Sequence, residues 1–449
     1  MRTAAVVSLA MLLSLVSISQ SQTRIEKVLA DREKFIEDGD WIYQDFEAAK
    51  RAASEADKPL MVVLRCIPCE ECVKLDDDVF EKDEAIKPLL EKFVRARVVS
   101  TNGLDLATFQ FDTDNSWMVF FLNADGTIYS RFGTRSDRTE WKDDVSVEGL
   151  ANAMKGVLQL HKQYPENKAS LAGKRGPKPR YASPELYPTL KQKYQSKIAF
   201  NNNVVKSCIH CHQIGDAEKQ HYRDRKEAMP EEILFPYPHP KSIGLILDPD
   251  QPGKILKVTE ESPAAKSGFK AGGVIQAINQ QPILSIADVQ WVLHNTSPDG
   301  GELNVLVTKS GPANQRGLEI GYMKLNLDEG WRRLDDISWR VSSWPLRRMG
   351  TGGLKLQALS NERREQLNLP DDQMALLVMH VGQYGPHAAA KRAGFHKGDI
   401  ILAFDGQDDL MRDGDLLAYA VTHRQAGERV KVNILRGERK MELTLPMQN

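Results

Sequence analysis

Apolar residues recur along this chain in blocks of two kinds. Phe46 to Ala56 carries them at helical spacing and is stopped by Lys58-Pro59. Leu60-Met61-Val62-Val63-Leu64 and Met118-Val119-Phe120-Phe121-Leu122 are instead short and continuous, the pattern of strands buried on both faces. Asn123-Ala124-Asp125-Gly126 predicts a hairpin turn into a strand at Thr127-Ile128-Tyr129. Polar stretches follow. Residues 163–185, with Gly173, Gly176, Pro177 and Pro179, have the composition of a flexible or extended linker. Leu186 to Val205 is helix-like but poor in large apolar side chains, and Pro236, Pro238 and Pro240 mark a second extended connector.

Beyond residue 240 the chain repeats itself. Ala264 to Ile275 can be laid on Ala389 to Ile401, each copy running from a short Ala-rich helix through a glycine turn into a strand. Each then predicts a polar hairpin, an amphipathic helix (Ile286 to His294; Asp415 to Thr422) and a closing strand (Leu303 to Thr308; Val430 to Leu435). Between the copies, alternation in Ile337-Ser338-Trp339-Arg340-Val341 predicts a strand or strap that packs one copy on the other.

Length and charge narrow the picture. A chain of 449 residues exceeds one core and predicts about three domains. With 41% hydrophobic and 27% charged residues it is a soluble globular composition, and a formal charge of -1 gives no electrostatic reason to expect nucleic acid. Arg2, the apolar run from Ala4 to Ile18 and small residues at Ser17, Ser19 and Ser21 predict a signal peptide at 1–21, hence a periplasmic or secreted protein. The run is short for a membrane span, and no later stretch is longer.

Export changes the meaning of the five cysteines, which fall into two clusters rather than a scattered disulfide framework. Cys66, Cys69 and Cys72 follow the Leu60 strand and precede a helical pattern. A thiol at a helix N-terminus meets unpaired N–H groups that raise its thiolate fraction. Redox chemistry is the first reading, and an inert disulfide or a metal site with Cys66 are the alternatives. These residues resemble the thioredoxin superfamily, particularly its exported thioredoxin-7 type. The resemblance implies Cys69 as nucleophile, Cys72 as resolving thiol, Cys66 as an additional catalytic candidate and Phe80 as the family's aromatic. Trp117 stands where thioredoxins carry a cis-proline.

The second cluster, Cys208-Ile209-His210-Cys211-His212, is a C-x-x-C-H run. It resembles c-type cytochromes, which implies haem c held by thioethers at Cys208 and Cys211, with His212 as the iron ligand. Met229, His221 and His239 are candidate distal ligands by position. Zinc held by the two cysteines with two of His210, His212, His221 and His239 is an alternative, and a plain disulfide a third.

The repeated half resembles PDZ domains, which take an extended peptide as an added strand and hold its terminal carboxylate on backbone N–H groups. That resemblance implies exported protein or peptide C-termini as partners. It places carboxylate loops at Ser242-Ile243-Gly244-Leu245 and Gly352-Gly353-Leu354, and groove-facing helix positions at Val289, Leu293 and Leu417. Neither a G-x-S-x-G elbow nor a serine-protease constellation is present in this half.

Taken together, the parts predict a multidomain α/β and α+β protein. The expected divisions are a signal peptide (1–21), a thioredoxin-like α/β domain (41–162), a linker (163–185), a short helical C-x-x-C-H segment (186–240), a PDZ-like β-rich domain (241–325), a strap (326–345) and a second PDZ-like domain (346–449). The order resembles a bacterial family of thioredoxin/PDZ-containing proteins, some with selenocysteine in the thiol motif. It implies an exported thiol–disulfide redox protein whose PDZ domains recruit clients. A PDZ scaffold with a haem electron carrier or a zinc-stabilised segment is the alternative.

Overall fold

The computed structural model describes residues 23–65, 84–115, 117–134, 144–310 and 318–449. The expected signal segment and Cys66, Cys69, Cys72 and Phe80 lie outside them. Helix α1 (Arg24–Asp38) opens with a capping box between Thr23 and Glu26. Helix α2 (Phe46–Ala56) is capped by Asp45, whose carboxylate accepts from the Ala48 N–H at 2.9 Å, and ends at Asp57 in the left-handed region.

Five strands form the first sheet: β1 (Ile42–Tyr43), β2 (Leu60–Arg65), β3 (Val94–Val98), β4 (Trp117–Leu122) and β5 (Ile128–Thr134), in the order β1-β3-β2-β4-β5. The first three in that order are parallel, and β4 and β5 are antiparallel to their neighbours. Every residue of β2 and β4 is buried, because both faces of the sheet are covered. Met61, Val63, Val119 and Phe121 face a layer that includes helix α3 (Val147–Lys162). Leu60, Val62, Leu64, Met118 and Phe120 face Ala49 and Ala53 of α2 together with Phe109 and Phe111. The continuous apolar runs in the sequence follow directly from that two-sided burial.

Residues 163–185, expected as a flexible linker, are instead tied down. A short helix (Lys168–Leu171) and two 3-10 turns carry the chain along the first domain. Arg175 donates to the carbonyls of Ala107 and Gly126, and the Gly176 N–H donates to Gln110 Oε1. Lys174 is 1% exposed. Glycine and proline here permit tight turns against neighbours rather than looseness.

The helix-like pattern from Leu186 to Val205 gives only the single turns Pro188–Lys191 and Val204–Ser207. Apolar spacing alone was too weak to carry the backbone through the intervening polar residues. The longer helix of this segment is α4 (Cys211–Arg225), which begins at the second cysteine of the C-x-x-C-H run.

Both C-terminal copies form the predicted elements. The first has β6 (Leu245–Leu247) paired with β7 (Ile255–Val258), then β8 (Val274–Ile278), β9 (Gln281–Pro282), helix α5 (Ile286–His294), β10 (Gly301–Ser310) and β11 (Leu318–Leu327). Next comes helix α6 (Ser343–Thr351). The second copy has β12 (Leu354–Ala358), β13 (Leu376–Val381), β14 (Ile400–Phe404), helix α7 (Asp413–His423), β15 (Arg429–Arg436) and β16 (Arg439–Pro446). Its sheet runs β12-β13-β14-β15-β16, with β12 at an edge.

The expected strand at Ile337 to Val341 does not form. Ile337 packs beside Leu417 and Phe235, while Arg340 turns into a carboxylate cluster, so the strap is fixed by side chains and not by a ladder. No helix among the described residues is long and apolar enough to cross a membrane.

Candidate functional site

Strands β2 and β3 are parallel, so their carboxyl ends lie side by side, and β2 delivers the chain to Cys66 immediately after Arg65. The same end receives the C-x-x-C-H turn. The Thr101 N–H and hydroxyl both donate to the Ile209 carbonyl, at 3.4 and 2.9 Å, and the Ile209 N–H donates to Asn102 Oδ1 at 2.8 Å. Asn102 Nδ2 in turn donates to the carbonyls of Gln195 and Ser207. Thus a loop just beyond β3 clamps the backbone between the two cysteines.

Cys208 is 1% exposed and sits in an aliphatic cluster with Val28, Val99, Ile198 and Val204. Cys211, the first residue of α4, packs against the layer that contains Leu64 and Met118. No disulfide joins two of the described residues. The imidazoles of His210 and His212 stack with centroids 5.6 Å apart. Burial first, then His212 and Arg24, push the His210 pKa down to about 4; burial also lowers His212, with Asp114 opposing. Both rings are therefore neutral near pH 7.

Among the described residues Cys208 is enclosed by aliphatic neighbours, so a macrocycle joined to both sulfurs would need those side chains to move aside. A cleft of about 570 Å³ lies farther along α4 at Ile214 and Gly215, yet neither cysteine nor His212 borders it. Among the described residues no three His, Cys, Asp or Glu side chains group to hold a metal, so a zinc site here would need a ligand from elsewhere. Of the candidate distal ligands, Met229 and His239 are both 3% exposed and lie in other surroundings. Met229 packs with Leu234 and Phe235, and His239 faces Asp144. His221 stacks edge-on with Tyr181. Trp117 is 2% exposed and pairs across the sheet with Arg65, next to the thiol end.

Each loop expected to hold a carboxylate carries a glycine in the left-handed region. Gly244 (φ +88°) follows Ile243, and a Cβ there would lie 2.0 Å from Ser262 Oγ. Gly353 (φ +94°) precedes Leu354, and its Cβ would lie 2.0 Å from the His387 carbonyl oxygen. Ile243, Leu245, Val289 and Leu293 are all fully buried in the first copy's core, and Leu354 lies in the core of the second. Leu417 is buried against α6 and the strap instead of facing a groove.

Residues 41–124 match a family model described as thioredoxin-like, and residues 242–311 and 353–447 each match one described as PDZ domain. The chain carries a thioredoxin-like domain and two PDZ domains. Curated relatives include proteins named "Probable periplasmic serine endoprotease DegP-like" from Pseudomonas savastanoi pv. phaseolicola (27% identical over 161 residues, 36% of this chain and 30% of the relative) and Pseudomonas fulva (25% over 153 residues, 34% and 29%). The match thus spans about a third of those relatives' length. Solved structures include the HtrA-type protease AlgW with decapeptide (19% identity, 39% of this chain and 54% of that one, TM-score 0.20) and with tripeptide (18%, 39% and 58%, 0.20).

The thioredoxin-like domain and the first PDZ domain, PDZ1, share a polar interface that sequence reasoning missed. Asp288 in α5 is fully buried, accepting from Ser130 Oγ at 2.7 Å, the Arg131 N–H at 3.2 Å and the Leu284 N–H at 3.0 Å, and pairing with Lys174 Nζ at 2.8 Å. Its signal was an acid inside the otherwise apolar helix Ile286-Ala287-Asp288-Val289. Arg131 lies over the Trp291 ring at 3.7 Å, and Trp291 Nε1 donates to the Gly173 carbonyl.

Proposed function

We propose that this is an exported thiol–disulfide redox protein whose PDZ domains bring peptide or protein C-termini to a thioredoxin-like domain. The observation that carries the reading is the strand before the thiol motif: β2 lies inside a thioredoxin-like sheet, and Cys66, Cys69 and Cys72 follow its carboxyl end in the sequence. The Cys208-Cys211 turn is clamped at that same end of the sheet. In the reaction, the Cys69 thiolate attacks a client disulfide and one client thiol leaves. Cys72 then attacks the mixed disulfide at Cys69, releasing the second client thiol. Two electrons pass to the client, and a Cys69–Cys72 disulfide remains.

Export is supported by the signal-like amino terminus and by relatives whose names place them in the periplasm. Recruitment is supported by the two PDZ matches and by the left-handed glycines of both carboxylate loops. A single-turnover insulin-reduction assay tests the chemistry. Reduced wild type precipitates insulin B chain and Cys69→Ser does not, while Cys72→Ser accumulates a mixed disulfide visible by mass spectrometry. Equal rates for wild type and Cys69→Ser would leave the adaptor reading in its place.

A further inference from the structure

We infer that the peptide groove of PDZ1 is closed by the chain's own thioredoxin-like domain, so that client C-termini are taken by the second PDZ domain, PDZ2. This rests on the proposed reading of the PDZ domains as client sites and says which of them does the work. A PDZ groove lies between one edge strand and one helix, here β6 with α5 and β12 with α7.

The two walls of the PDZ1 groove are both engaged. On the helix side, every residue from Ser285 to Leu293 is buried. A helix that lends one face to its own core and the other to incoming peptide would leave a stripe exposed. Here that stripe is covered: Ser285 Oγ donates to the Arg131 carbonyl, and Asp288 is saturated by Ser130, Arg131, Leu284 and Lys174.

On the strand side, the residues after β6 are held by the start of α3. Ser146 Oγ donates to the Pro249 carbonyl at 3.2 Å, and Asn152 Nδ2 donates to the Asp250 carbonyl at 2.9 Å. Next to the carboxylate loop, Asp144 pairs with Lys241 at 2.5 Å and faces His239 at 3.5 Å. Phe132, Gly133, Asp144 and Val145 line the space between Pro249 and Ile286, leaving a cavity of only about 10 Å³, room for one water at most.

The contact depends on two glycines one heptad apart on a single face of α3. A Cβ on Gly149 would lie 2.0 Å from the Pro249 carbonyl oxygen, and one on Gly156 would lie 2.7 Å from Leu284 Cδ2. Gly149 is the third residue of α3, while Gly156 lies mid-helix, where glycine costs roughly 0.5–1 kcal/mol relative to alanine; close approach of PDZ1 is what these two permit. PDZ2 differs. Leu417 and Val421 of α7 pack on α6, but strand β12 is the edge of a five-stranded sheet, with Lys355, Gln357 and Ala358 exposed, and Asp415, Tyr419 and Thr422 leave a half-exposed stripe on the helix.

The test uses the full chain, its Asp144→Lys variant, which sets two lysines against each other at the carboxylate loop, and Gly353→Val in PDZ2. Hydrogen exchange without peptide comes first. Amides of residues 245–250 and 285–290 should exchange at least tenfold faster in Asp144→Lys than in wild type, and unchanged exchange would overturn closure whatever peptides do. The probe is then a fluorescein-labelled decapeptide mixture with free, apolar carboxyl termini. Wild type should bind one equivalent and protect Leu354 to Ala358, Gly353→Val should lose that binding, and Asp144→Lys should gain a second equivalent protecting Leu245 to Leu247. Two equivalents on wild type, or protection of Leu245 to Leu247 there, would also overturn it. Accelerated exchange in Asp144→Lys with no peptide bound by any variant would uphold closure and remove the client role of the PDZ domains instead.

Discussion

Arg340 is the cation on which the strap's position depends, and replacing it isolates that dependence. The side chain is 2% exposed. It donates to Asp112 Oδ1 at 2.7 Å and, through the same nitrogen, to Asp114 Oδ2 at 3.4 Å, with Asp335 3.9 Å away. Asp114 also accepts from Ser342 Oγ at 2.6 Å, and Ser342 Oγ accepts from Lys219 Nζ at 2.9 Å. One guanidinium therefore links the thioredoxin-like domain to the strap, and the same cluster reaches α4. Burial alone would raise the Asp114 pKa, but Arg340, then Lys219 and the Ser342 hydrogen bonds, hold it below the usual carboxylate range.

In Arg340→Met the carboxylates stay buried without their principal cation. Removing one partner of a buried pair costs about 3–5 kcal/mol. At roughly 2–4 °C per kcal/mol for a unit of 150–250 residues, the first thermal transition should fall by roughly 6–20 °C at pH 7.5. The pH dependence has a definite sign. A carboxyl whose folded pKa is depressed stabilises the fold above its unfolded pKa and loses that contribution as pH falls through the folded value. Wild type should thus be nearly flat in this term from pH 7.5 to 5. In the variant, protonation relieves the stranded charges, so its deficit should shrink as pH falls. Near-ultraviolet circular dichroism melts of both proteins at pH 7.5 and 5 measure this. A shift under 2 °C, or a deficit that grows on acidification, would refute the assignment of Arg340 as the principal counter-ion.

Three further outcomes are expected. Burial first, aided by Arg332, Arg340 and Arg131, pushes the His294 pKa down to about 3, so wild type should lose about 1.4 kcal/mol per pH unit from this group as pH falls below about 6.5. Urea titrations of His294→Gln should show that slope removed. Gly149→Ala should cost roughly 1–3 kcal/mol and speed exchange around Pro249, because the added methyl meets a carbonyl oxygen rather than a flexible side chain; unaltered melting and exchange would mean the helix and loop are not in contact in solution. Protein exported by a host that matures c-type cytochromes should lack Soret absorbance after acid-acetone extraction, and absorbance that survives it but disappears in Cys208→Ala would contradict the packing around Cys208.

The sequence carried the fold where one physical signal dominated. Two-sided burial wrote continuous apolar runs at β2 and β4, and duplication wrote the same glycine turn twice, at Gly272 and Gly398. It misled where tertiary polar contacts decide the backbone. Alternation at Ile337 to Val341 matched a strand, yet Arg340 is buried by charge and Val341 is 48% exposed, so the period had a different cause. The Gly- and Pro-rich linker matched flexible chain, but its glycines fit under Trp291 and Gln281. Val289 and Leu293 showed that α5 is amphipathic without revealing that its polar side would also be covered, because that cover comes from Ser130, Arg131 and Lys174, far away in the sequence.

The same contrast bears on how the domains hold their arrangement. Lys174 with Asp288 and Arg340 with Asp112 and Asp114 are buried pairs at seams between parts of the chain, and Arg347 with Asp413 is a buried pair that fixes α6 on α7. Arg223 of α4 adds donors to the carbonyls of Gln448 and Arg424 at the far end of PDZ2. Buried pairs contribute little net stability over apolar packing of equal volume, since desolvation offsets the attraction. What they enforce is register, because each alternative docking would strand a charge. Under the proposed function, a fixed register would hold the β12 edge at a set distance from the carboxyl end of β2, which a tethered client would have to reach. Apolar seams would allow PDZ2 to slide, whereas these seams penalise any slip by several kcal/mol per stranded charge. The placement of the PDZ domains around the thioredoxin-like sheet is therefore held by the ionic seams.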